Sequence, residues 1–219
     1  MSPHRTTPTA PAAEAAPTKG ETTRTRLLAA AHKLFLKQGF HGTSMREIAD
    51  AAGIAVGGIY NHFGTKEAIF AAVLAAYHPY HVILPALEAT QGETVEAFVR
   101  DAAARVKAGL AGAEKGIMPL AFMELVEFQG RHIRQLARKM MPPLLNFVQR
   151  FTQRRGRLRE VPLPIMLRAL LGMTIGYLVS EIILRGLKGV PGLDLDEDRW
   201  FDGMIDIYLY GILEGPEES

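Results

Sequence analysis

The chain has 219 residues, 48% apolar and 22% charged, with no cysteine, which excludes disulfide frameworks, thiolate zinc sites and thiol nucleophiles and fits a reducing cytoplasm. That composition supports one substantial core or two smaller ones, and a net charge of +2 excludes a polycation that binds by its overall field. The charge is segregated along the chain, at +3 over residues 1–75, −3 over 76–130, +9 over 131–159 and −7 over 160–219.

Residues 1–20 place four prolines among alanine and threonine and lack an apolar h-region, so they read as a disordered tail rather than a signal peptide. Beyond the tail, apolar residues recur at helical spacing and predict an all-α protein of about nine helices. Leu27, Ala31, Leu34 and Phe35 form one face of a first helix, which Gly39 is expected to end in the left-handed conformation. Ser44 with Glu47 at the third helical position is a capping box for a second helix over 45–52, stopped by Gly53. A third helix is expected over 56–63. Thr65 then caps a fourth that opens on Lys66 and Glu67 and should kink or break at Pro79, between Tyr77 and Tyr80. Further helices are expected at 94–111, 119–128, 131–155, 163–187 and 197–213. The charge-free run 169–180 is 12 residues long, short of the ~20 that span a bilayer, and reads as a buried helix.

Residues 45–63 carry the chemistry. The order is helix, glycine turn, helix; Ala49 permits close approach, Gly53 supplies the turn, and Ile48, Ile54 and Ile59 can wedge against Leu34 and Phe35. This is a helix-turn-helix, which lays its second helix in the DNA major groove. The runs Gly39-Phe40-His41-Gly42-Thr43-Ser44, Ile48-Ala49-Asp50-Ala51-Ala52-Gly53-Ile54 and Gly58-Ile59-Tyr60-Asn61-His62-Phe63-Gly64-Thr65-Lys66-Glu67 resemble the N-terminal domain of the TetR family of transcriptional repressors. The resemblance covers 22 to about 70; beyond it the chain agrees with the family only in helicity and length.

The resemblance implies a homodimer, a repressor that binds a palindromic operator and is released by a small molecule held in the C-terminal half. It divides the chain into a tail at 1–20, a DNA-binding domain at 21–67 and an effector and dimerisation domain at 68–215. Thr43, Ser44 and Arg46 would meet phosphate, or a base edge for Arg46, at the start of the second helix; each also reads as a cap or a surface charge. Ala55, Val56, Gly57, Gly58 and Asn61 would face the groove, where Asn61 alone can pair bidentately with a base, and Ala55 lacks the hydroxyl the family often has there. Tyr60, His62, Thr65 and Lys66 would contact phosphates. Lys66 is the contact expected with most reason, since a cation in the first turn opposes the helix dipole.

Downstream, Tyr77, Tyr80, Met118, Phe122, Met123, Val126, Met140, Leu144 and Phe147 are candidates for the lining of a pocket for an apolar or amphipathic effector, although a methionine stripe is also ordinary core. The +9 segment reads as a solvated helix face, a seat for an acidic effector, or a partner for the acidic run Asp194 to Asp206. Gly172, Gly176 and Ser180, with Gly203 and Gly211, make narrow seams on the last two helices. Together with Ile175, Val179, Ile183, Ile207 and Tyr210 they suit a four-helix dimer interface or internal packing.

No phosphate loop or nucleophile elbow occurs, His78 and His81 lack a third metal ligand, and neither an enzyme nor a cofactor or metal site is expected. A cytoplasmic regulator that does not enter membranes is the expectation. The alternative is a helical lipid-carrying or membrane-surface protein without DNA binding, suggested by the apolar content and the basic segment.

Overall fold

The computed structural model describes residues 18–110, 116–184 and 196–213. Ten helical segments lie among them: α1 (Lys19–Gln38), α2 (Met45–Ala52), α3 (Val56–Tyr60), α4 (Lys66–Tyr77), α5 (Tyr80–Glu88), α6 (Val95–Leu110), α7 (Ile117–Phe128), α8 (Arg131–Thr152), α9 (Leu163–Leu184) and α10 (Glu197–Ile212). The expected fourth helix is broken at Pro79 into α4 and α5, which accounts for ten segments against nine expected. The expected tail ends earlier than residue 20, because Thr18 and Glu21 form a capping box that opens α1; residues 1–17 lie outside those described.

The chain divides into two compact units between Val73 and Leu74, within α4, six residues beyond the expected boundary. In the first unit Leu27, Ala31, Phe35, Ile48, Ala49, Ile59, Ile69 and Phe70 are buried from solvent. Phe35 is the hub, its ring centroid 5.4 Å from Phe70 and 5.9 Å from Phe40. Burying one such aromatic contributes about 1.5–3 kcal/mol. Gly53 stops α2 in the left-handed region at φ 64°, ψ 42°, as expected. Gly39 also has positive φ (74°) but an extended ψ of 176°, a combination still more restricted to glycine than the one anticipated.

In the second unit Val95, Phe98, Val99, Phe151, Met166, Ile205, Tyr208, Leu209 and Ile212 form one cluster drawn from α6, α8, α9 and α10. Short backbone pairings fasten its edges: Val95 N–H donates to Arg155 O, and Arg159 N–H to Ile212 O. At the α7–α8 turn the fully buried Glu124 carboxylate accepts from the backbone N–H of His132 at 2.6 Å and meets its ring Nδ1 at 2.7 Å. A buried carboxylate that caps the next helix satisfies two demands at once.

The reading of 169–180 as a buried helix is not met within this chain. Only 6% of the 163–180 window is buried, and Ile165, Leu171, Ile175 and Ile183 are exposed. That window, and the stretch 66–88, are apolar and long enough to cross a membrane by composition, although the latter is interrupted at His78 and Pro79.

Candidate nucleic-acid interface

The interface is built outward from the glycine turn. α2 carries Ile48, Ala49 and Ala52 on its buried face, and α3 contributes Ile59, so α3 is held by one apolar anchor and shows the rest of its surface to solvent. Arg26 of α1 donates to Ala52 O, the last carbonyl of α2, fixing the helix end beside Gly53. Arg24 lies 4.3 Å from the Phe63 ring centroid and braces the chain after α3. Sequence reasoning missed both arginines. Their spacing on α1 gives no sign of partners 26 and 39 residues away.

α3 ends at Tyr60, three residues before the expected end, because His62 N–H and Phe63 N–H both turn back to Ile59 O. Ala55 makes no side-chain cap, as its missing hydroxyl implied. Around α3, Val56 (39% exposed), Tyr60 (54%) and Asn61 point to solvent, and Gly57 has open space where a Cβ would stand. Gly58 differs: a Cβ there would meet Ile54 Cγ2 at 3.0 Å, so it serves packing rather than readout. His62 is half-buried and Thr65 exposed, with the Thr65 hydroxyl accepting from Ala68 N–H at 3.1 Å.

Two of the anticipated phosphate contacts have internal partners. Thr43 is buried to 1%, and its hydroxyl donates to Gly39 O at 2.8 Å, which closes the α1–α2 turn and leaves the side chain unavailable to a ligand. Lys66 donates to Phe40 O at 2.7 Å and Thr43 O at 2.8 Å, and its ammonium stands 4.2 Å from the Phe40 ring centroid. The lysine that looked misplaced for helix stability is a clasp on the same turn. Ser44 is exposed and forms the capping box with Glu47, whose carboxyl is held below its ordinary range by the hydrogen bonds of Ser44. Arg46 is 82% exposed, with only a 4.0 Å approach to Asp50.

Residues 27–73 match the family described as bacterial regulatory proteins, tetR family. That match spans 47 of the 219 residues and takes in the helix-turn-helix segment. The HTH-type transcriptional regulator UidR of Escherichia coli K12 is 42% identical over 57 residues, 26% of this chain and 29% of that one. The HTH-type transcriptional repressor KstR2 of Rhodococcus jostii is 44% identical over 54 residues, 25% and 26% of the two chains. The chain thus matches under a third of the length of these curated relatives. The fold likeness reaches further. NalD of Pseudomonas aeruginosa, a secondary repressor of the MexAB-OprM multidrug efflux pump, superposes with a TM-score of 0.62 at 22% identity over 90% of this chain and all of its own. A TetR-family regulator from Mesorhizobium loti does so with 0.62 at 21% over the same shares.

The second unit departs from several expectations. Phe122 (47%) and Val126 (76%) of α7 face solvent and enclose nothing within the described residues. Tyr77, Tyr80, Met118, Met123, Met140 and Leu144 are half-buried. Phe147 stacks on Phe98 at 5.1 Å and reaches a recess beside α8. Within the acidic run, Asp206 meets Arg100 at 2.7 Å and Asp198 meets Lys107, both from α6, while Asp194 lies outside the described residues. Gly172, Gly176, Gly203 and Gly211 have no atom within 4 Å of a built Cβ, so their seams pack against nothing among the described residues. Ile175, Ile183, Ile207 and Tyr210 are exposed beside them, with Val179 and Ser180 half-buried. Among the described residues there is no cluster of three or more His, Cys, Asp or Glu groups fit to hold a metal.

Proposed function

We propose that the chain is a transcriptional repressor that binds a palindromic operator as a homodimer and leaves it when a small apolar or amphipathic effector occupies the second unit. The observation that supports this most is the solvent-facing surface of α3, where Val56, Gly57, Tyr60 and Asn61 stand outward although packing gives none of them a reason to be there. In the major groove Asn61 can pair with adenine, Val56 can meet a thymine methyl, and Tyr60 can reach phosphate. Ser44, Arg46, His62 and Thr65 lie at the edges of the same surface, where contacts set register rather than sequence. With one base-reading amide, DNA shape carries much of the specificity.

Dimerisation through α9 and α10 follows from their uncovered apolar residues and open glycine seams, which let two helix pairs approach closely. An effector need only prefer the dimer whose recognition helices no longer match successive major grooves, about 34–36 Å apart, and a coupling of about 1–3 kcal/mol suffices. Fluorescence anisotropy with duplexes from the gene's own upstream region tests the reading. Affinity should fall linearly with salt on logarithmic axes. Absence of low-salt affinity for every duplex overturns it.

The exposed α9 also supports a membrane-surface or lipid-carrying protein. Flotation with lipid vesicles but no duplex binding would favour that second reading.

A further inference from the structure

We infer that the recess beside the C-terminal half of α8 is a binding site for a small oxyanionic group, a carboxylate or a phosphate, held by the guanidinium of Arg154. Arg150 stands in the last turn of α8 and Arg154 two residues beyond its end, and both guanidinium groups lie against the Phe98 ring, 5.4 and 4.8 Å from its centroid. Their circumstances differ. Arg150 donates to Leu87 O at 3.2 Å, Glu88 O at 2.8 Å and Thr90 O, closing the end of α5 where a cation complements the free carbonyls.

Arg154 has no such use. Its Nε is buried and finds no acceptor, while the ring contact orients the plane without satisfying any N–H. A guanidinium carries five donors and no acceptor, and a buried donor without a partner calls for a missing water or ion. Arg154 also lines a recess of about 450 Å³, together with Glu88, Gln91, Asn146, Phe147 and Arg150. That volume suits a small ligand. Asn146 and Gln91 can add amide donors, Phe147 gives an apolar wall for the ligand's body, and the planar fork of Arg154 fits two oxygens of one anion.

Glu88 is the acidic group of the lining, exposed and paired with neither arginine. Two cations against one anion leave the recess positive, and Glu88 at its rim disfavours a highly charged guest. The Arg155–Glu93 pair nearby is open to solvent on both sides and takes no part. The site stands without the regulator assignment, because occupancy can be read on the protein alone.

Calorimetric titration of the full chain with inorganic phosphate and, separately, with hexanoate tests the site, and the probe that binds identifies the class. Saturable binding of one equivalent per chain by either is expected. Arg154→Met and Asn146→Asp should each weaken it about tenfold or more. Glu88→Gln should tighten it, and Arg155→Gln should leave it unchanged. Asn146 is exposed, so N146D carries the test even where R154M does not fold. The proposal is overturned by the absence of saturable binding of both probes at millimolar concentration, or by N146D binding as tightly as the wild type. Loss of this site would leave duplex binding, and the regulator reading, intact.

Discussion

Lys66 has an internal role that its place in the sequence does not reveal. A cation in a helix's first turn opposes the dipole, so some partner had to account for it, and an external phosphate was the inference available from spacing alone. The partners are Phe40 O and Thr43 O, 26 and 23 residues back in the chain, a tertiary fact that no local pattern encodes. Lys66→Met is therefore expected to lower the unfolding free energy by about 1–3 kcal/mol, since charge-assisted hydrogen bonds are the stronger kind. Guanidinium titration checks this; unchanged stability with a salt slope shallower by about one would make phosphate contact its main role. Tyr60 is the opposite case. At 54% exposure it has little packing to lose, so Tyr60→Phe should reduce operator affinity by several fold in anisotropy titrations while the thermal midpoint stays within a degree or so.

Among the elements, α2 is the one most completely legible from sequence, because both of its ends are set by local chemistry: Ser44 and Glu47 at the start, Gly53 at the stop. α3 was legible only at its start, its end being decided by how Ile59 O is shared after the helix. α9 was misread because apolar content reveals the need for cover but not whether the same chain supplies it. Gly53→Ala places a Cβ at φ 64° and 2.9 Å from Arg26 Nη2, so it both strains the turn and disturbs the Arg26 clamp on Ala52 O. A loss of about 1–2 kcal/mol in chemical denaturation is expected, with a larger relative loss of duplex affinity. The capping box makes a pH-dependent contribution of definite sign. Hydrogen bonds from Ser44 depress the Glu47 pKa in the folded state, so its stabilisation is complete above the ordinary carboxylate range and disappears as pH falls through the lowered value. The thermal midpoints of wild type and Glu47→Ala should accordingly differ at neutral pH and converge in acid.

At the scale of the molecule, α9 and α10 raise the question of what covers them. Single exposed apolar side chains are ordinary, but here Leu171, Ile175 and Ile183 on one helix accompany Ile207 and Tyr210, 68% and 83% exposed, on the next. Four glycines between them have no neighbour at a Cβ position among the described residues, although a glycine mid-helix costs about 0.5–1 kcal/mol relative to alanine unless close approach repays it. In the proposed dimer a second copy of the same surface would supply that approach and make the contact self-complementary, as two-fold symmetry requires. Placing a charge at its centre should then separate the copies without unfolding either, because Ile207 contributes nothing to the buried cluster of Ile205, Tyr208 and Leu209 on the other face of α10. Ile207→Asp is expected to sediment as a monomer at micromolar concentration, to keep the helical circular dichroism of the wild type, and to bind a palindromic duplex at least tenfold more weakly, since each half-site is then engaged independently. A wild-type protein that is itself monomeric under those conditions, or an Ile207→Asp variant that remains dimeric, would move the interface elsewhere.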